Sequence, residues 1–125
     1  MAVAIDIGDA KRIHPKNKLD VGKRLGVAAL NVAYNKGLVS KGPTYNFVEI
    51  KNDTAIIHYT KDSDSLVTRD KYGYVRGFAV AGDDHIFHWA KAFIKGNTIV
   101  LTCKNVRHPV AVRYAWSFNP GITDL

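Results

Sequence analysis

Hydrophobic positions follow two different periods along the chain. From Asn17 onward, Val21, Leu25, Ala28, Ala29, Val32 and Ala33 recur at spacings of four, three, one, three and one, which predicts one apolar stripe on a helix. Asn17 is placed to cap that helix, with Asp20 three residues later in its positive first turn. Lys36-Gly37 supplies a stop. Gly22 and Gly26 lie four apart on one face, so a closely approaching neighbour is expected there, in exchange for about 1 kcal/mol of helix propensity at each. Ahead of the helix, Ala2 to Ile7 is an apolar run that predicts a short buried strand ending at the turn pair Gly8-Asp9. Residues 8–16 form the loop between strand and helix, and it carries His14.

Beyond Lys41-Gly42-Pro43 the period shortens to two. Tyr45 to Lys51 and Thr54 to Thr60 flank Asn52-Asp53, a hairpin signal. Lys61 to Ser65 is an acidic, serine-bearing loop, followed by a weak strand at Leu66 to Thr68 and a turn around Asp70 to Gly73. Tyr74 to Ala81 and His85 to Ile94 flank Gly82-Asp83-Asp84. Lys95-Gly96-Asn97 leads into Thr98 to Cys103, and Val110 to Trp116 closes the series. Six or seven short strands separated by turn residues predict an antiparallel sandwich or barrel-like sheet. The fold class is therefore α+β, mainly β: a short strand, a histidine loop and one amphipathic helix, then an antiparallel β-sandwich-like domain. The two parts are residues 1–38 and 43–120, with Gly37, Ser40, Gly42 and Pro43 at the boundary.

With 125 residues the chain is long enough to bury a core without disulfides. The lone Cys103 sits among alternating apolar neighbours and reads as an inert strand thiol. No apolar run reaches the roughly twenty residues of a transmembrane helix, and the first residues lack the basic start and long apolar middle of a signal peptide. No membrane partner is expected. The net charge of +7 is concentrated near the helix, because residues 1–43 hold eight Lys or Arg against three Asp. Lys16, Lys18, Lys23 and Arg24 there predict a solvated outer side. No nucleic-acid motif accompanies them, so no nucleic-acid partner is expected.

His14 is the strongest candidate for chemistry. It lies in a loop between two elements, and Pro15 restricts its backbone to extended geometry, which would aim the ring. Imidazole ordinarily titrates near neutrality and suits a proton-transfer role. His85 and His88, three apart in a predicted strand, point to opposite faces and cannot share an ion. His58 and His108 complete no ligand spacing, so no metal site is expected. Of the many aromatic residues in the β part, alternation places most in the core. Trp89 and Trp116 are the candidate exposed exceptions, able to contact a sugar ring.

The run Ile13-His14-Pro15-Lys16-Asn17-Lys18 resembles the last motif block of the sialate O-acetylesterase group of SGNH hydrolases. The tail Val110-Ala-Val-Arg-Tyr-Ala-Trp116, followed by Asn119-Pro120, is similar to the ending of the same proteins. These motifs lie at opposite ends of the chain, so the resemblance covers nearly all of it. It implies the C-terminal portion of a serine hydrolase that removes O-acetyl groups from sialic acid or a related sugar without a metal or organic cofactor. His14 would be the general base, taking the proton from an attacking serine hydroxyl and returning it to the sugar leaving group.

The resemblance also implies a nucleophilic serine in a Gly-Asp-Ser block far upstream of the histidine. Gly8-Asp9-Ala10 mimics that block with alanine at the serine position, and a methyl group cannot attack a carbonyl. The nucleophile is accordingly expected from an upstream catalytic segment acting as partner, and the chain alone is expected to be inactive. Related enzymes usually place an acidic residue two or three positions before the histidine. Lys11 and Arg12 stand there in this chain and offer no acceptor, which leaves Asp9 as the candidate that orients the ring. A periplasmic or secreted location is implied by the resemblance alone. The alternative reading is a noncatalytic β-sandwich that binds carbohydrate or another protein.

Overall fold

The computed structural model of the protein describes residues 1–9, 11–14, 16–60, 66–68 and 71–117. Its helix, α1, spans Lys18–Val32. The Asn17 side chain accepts the Asp20 amide at 3.1 Å and donates to the Asp20 carboxylate at 2.6 Å, a reciprocal cap of the kind the sequence predicts. The helix stops before Lys36-Gly37: Ala33 closes it, Asn35 turns to a φ of 50°, and the Lys36 amide donates to the Leu30 carbonyl at 3.2 Å. Asparagine tolerates that left-handed backbone better than most residues, which places the stop earlier.

Residues 2–7 do not form the expected strand. Their one internal backbone bond is a turn from the Ile7 amide to the Ala4 carbonyl at 3.3 Å, and among the described residues no strand lies alongside to pair with them. An apolar run becomes a strand only where a neighbour satisfies its amides and carbonyls.

The β part begins with the predicted hairpin. Strands β1 (Tyr45–Lys51) and β2 (Thr54–Tyr59) run antiparallel with Lys51 opposite Thr54, and Asn52 supplies the positive φ that the tight turn needs. Strands β3 (Phe78–Ala81), β4 (His88–Trp89), β5 (Lys91–Lys95), β6 (Thr98–Thr102) and β7 (Ala111–Tyr114) follow. They form a four-stranded sheet in the order β1-β2-β6-β5 and a three-stranded sheet in the order β4-β3-β7. The described residues are thus mainly β with one helix.

Two predicted strands prove to be bent across both sheets. Tyr74 to Ala81 breaks at Gly77, whose φ of 90° opens a corner, so that Val75 pairs with Ala92 in the four-stranded sheet while Ala79 pairs with Trp89 in the three-stranded one. His85 to Ile94 breaks at Ala90, whose amide donates to the Phe78 carbonyl at 3.0 Å. His85 itself sits in a turn with a φ of 57°. One bent antiparallel ladder therefore joins the layers, and glycine relieves the strain where the chain turns the corner. Leu66 to Thr68 is not a strand, although Leu66 is buried in the core. The expected loop Lys61 to Ser65, and Asp70 of the following turn, lie outside the described residues.

The core lies between the sheets. Ala55 and Ile57 of β2, Phe78 and Val80 of β3, Ala92 of β5, and Ile99 and Leu101 of β6 are buried together with Leu66, Val75, Ala90 and Val106. Tyr59, Ile94, Cys103, Val112 and Tyr114 pack against this group, which is where alternation put the Cys103 thiol. Burial of each large side chain contributes about 1.5–3 kcal/mol. None of the core comes from the first 38 residues. In α1 only Ala28 is buried, whereas Leu19, Leu25, Leu30 and Val32 remain exposed. The expected close neighbour of Gly22 and Gly26 is absent among the described residues, since an added Cβ at either would meet nothing within 4 Å.

Candidate functional site

The segment around His14 is held by polar contacts rather than by burial. Arg24, on the second turn of α1, reaches back to Asp6 with both guanidinium nitrogens, at 2.6 and 2.7 Å, and donates to the Val3 carbonyl at 2.8 Å. The hydrogen bond to Asp6 is the main reason that the Arg24 pKa lies above its ordinary value. A bidentate guanidinium-carboxylate pair fixes direction as well as distance. The chain entering the histidine loop is thereby tied to the helix leaving it.

Within the loop, Asp9 acts on its own backbone. Its carboxylate accepts the Lys11 amide at 3.0 Å, its carbonyl accepts the Arg12 amide at 3.2 Å, and the Lys16 ammonium stands 3.7 Å from its second carboxylate oxygen. This is an aspartate turn, the common local use of that side chain. His14 is exposed. Among the described residues no hydrogen bond joins Asp9 to His14, and Pro15 lies outside them. The imidazole is therefore open to solvent. On α1, Leu25 and Val32 are exposed, so the apolar stripe of the helix is uncovered among the described residues.

The other histidines stand apart. His58 on β2 stacks on Phe47 of β1, with ring centroids 4.2 Å apart, and its Nε2 lies 3.4 Å from a Glu49 oxygen. Lys51, 3.0 Å from Glu49, is the main cause that holds the Glu49 carboxyl below the usual carboxylate range, with His58 adding to it. His88 pairs with Val80, and His85 and His108 are exposed. Among the described residues no three potential metal-ligating side chains converge.

A second surface lies on the outer face of the three-stranded sheet. Phe78 and Val80 point into the core, so Ala79 between them points outward, as do its two neighbours in register, Trp89 on β4 and Arg113 on β7. The Arg113 guanidinium carbon lies over the Phe87 ring, 3.7 Å from its centre, and over the Trp116 ring at 5.2 Å. Trp89 and Trp116 are 75% and 73% exposed, where the sequence placed the exposed aromatic candidates. Sequence reasoning passed over Arg113, because its surroundings come from side chains in two other segments.

Against this geometry, similarity to known proteins can be weighed. No protein-family model matches the chain. The chain is 32% identical over 130 residues to the sialate O-acetylesterase of Rattus norvegicus, an overlap that takes in 96% of this chain and 23% of the rat protein. Its fold superposes on a carbohydrate acetylesterase from Xanthomonas citri with a TM-score of 0.92 and 41% identity, over 98% of this chain and 28% of that one. Both overlaps include the histidine loop, the helix and the sandwich. By sequence and by fold, the chain is a homologue of sialate O-acetylesterase that spans about a quarter of the length of the proteins it matches.

Proposed function

We propose that this chain is the C-terminal portion of a carbohydrate O-acetylesterase, with acetylated sialic acid or a related sugar as substrate, and that it supplies the general base and not the nucleophile. In this reading residues 1–38 complete an SGNH esterase domain and residues 43–120 form its accessory β-domain. The observation that carries the proposal is the near-complete overlap of the chain with two acetylesterases, supported by an exposed His14 and an uncovered apolar stripe on the helix that follows it. A partner bearing the serine block would cover Leu25 and Val32 and bring its hydroxyl to the imidazole.

The chemistry follows from those positions. His14 accepts the serine proton as oxygen attacks the acetyl carbonyl, and donates it to the sugar oxygen as the acyl-enzyme forms. It then activates water to release acetate. Asp9 stands near enough in sequence to steady the ring once a partner displaces Lys16, which is exposed and held by a single long contact.

The test is acetyl-ester hydrolysis, followed on O-acetylated sialic acid, by the 125-residue chain alone and with an upstream hydrolase segment added. No turnover alone and turnover on mixing, abolished by His14→Ala, is the expected result. Turnover by the chain alone that His14→Ala removes would overturn the division of roles.

A further inference from the structure

We infer that the outer face of the three-stranded sheet is a binding site for a sugar residue that carries a carboxylate, separate from the histidine loop and independent of the esterase reading. Ala79 is the floor. Trp89 and Arg113 flank it in register, one strand away on either side, which sets their backbones about 10 Å apart. The Arg113 guanidinium extends to the Phe87 ring, on the β4 side of Ala79, so Trp89 and Arg113 are the two side walls of one surface patch.

The side walls divide the recognition between them. Trp89, three-quarters exposed, offers an indole face on which the C–H face of a sugar can stack. The Arg113 guanidinium already lies over the Phe87 and Trp116 rings, and aromatic contact of this kind restrains a guanidinium without using its N–H donors. Among the described residues the Arg113 side chain has no hydrogen bond and no ion pair. A fixed, positively charged donor fork without a partner matches a carboxylate, which accepts two parallel N–H bonds from it. A neutral sugar would leave that fork unmatched, so the charge selects acidic sugars.

The site is tested by titrating the isotope-labelled 125-residue chain with N-acetylneuraminic acid and with galacturonic acid, reading the indole N–H resonances of Trp89 and Trp116. Saturable shifts of both indoles with at least one acid are expected. The apparent Kd should weaken about tenfold or more with the methyl ester of that acid, with Arg113→Ala, and with Trp89→Ala. Arg113→Lys should recover only part of the loss, because an ammonium is not a fork. Each of these side chains is exposed, so the variants fold, and unchanged core amide resonances verify that. Absence of saturable shifts with both acids overturns the site, as does equal binding of the acid and its ester or binding that Arg113→Ala leaves unmoved. His14→Ala should bind as the parent does, which separates this outcome from the fate of the esterase proposal.

Discussion

Arg24 grips both carboxylate oxygens of Asp6, at 2.6 and 2.7 Å, across the whole length of the histidine loop. The pair is more than a third exposed on each side, so its value to global stability is small, at most about 1 kcal/mol. Its importance lies in where the loop ends are held. Arg24→Ala should speed amide exchange of residues 3–14 while moving the urea midpoint of the sandwich little. Equal protection of that segment in parent and variant would remove the role assigned to the pair.

His14→Ala is expected to leave folding unchanged, within about 0.5 kcal/mol, because the side chain is exposed. In an assembly that contains the nucleophile, the same change should lower kcat by at least about a thousandfold. A drop of only a few fold, measured by acetate release, would show that another group moves the proton.

Phe78 and Leu101 are each about 1% exposed, and Phe78 contacts the Tyr114 ring with centroids 4.5 Å apart. Leu101→Ala should cost about 2–5 kcal/mol and Phe78→Ala about 3–5 kcal/mol through the cavities left behind. Urea denaturation of the 125-residue chain would show these losses, whereas Leu25→Ala on the uncovered helix stripe should cost far less.

Burial pushes the Tyr59 phenol up to about 12, with Tyr114 adding to it. The folded state thus holds the phenolic proton at pH values where the unfolded chain, titrating near ~10, has released it. Stability from this residue is fully present below about pH 10 and is lost as pH rises toward 12. Lysines also titrate in that window. Tyr59→Phe keeps the packing and removes the ionisation, so its stability should decline less steeply than the parent's between pH 10 and 12.

Where a signal was local, the sequence disclosed the structure closely. The cap at Asn17 and the hairpin turn at Asn52 depend on a few adjacent residues, and both form where their spacing predicts. Residues 2–7 show the limit: their apolar character is plain, but a strand needs a neighbour that the run itself cannot specify. The corner at Gly77 and Ala90 was hidden for another reason. Alternation continues through it, and only the transfer of pairing from Ala92 to Trp89 reveals the bend. The loop position of His14 was legible from the residues around it. The setting of Arg113 was not, because it is made by rings contributed from residues 87 and 116.

The bent ladder has a mechanical consequence. Because the same two stretches of backbone belong to both layers, Val75 with Ala92 in one and Ala79 with Trp89 in the other, prising the layers apart requires rupture of main-chain hydrogen bonds at a shared seam. Neither layer can melt first and leave its fellow intact. Heating should therefore produce one sharp transition for residues 45–114, with the slowest-exchanging amides drawn from both sides of that seam.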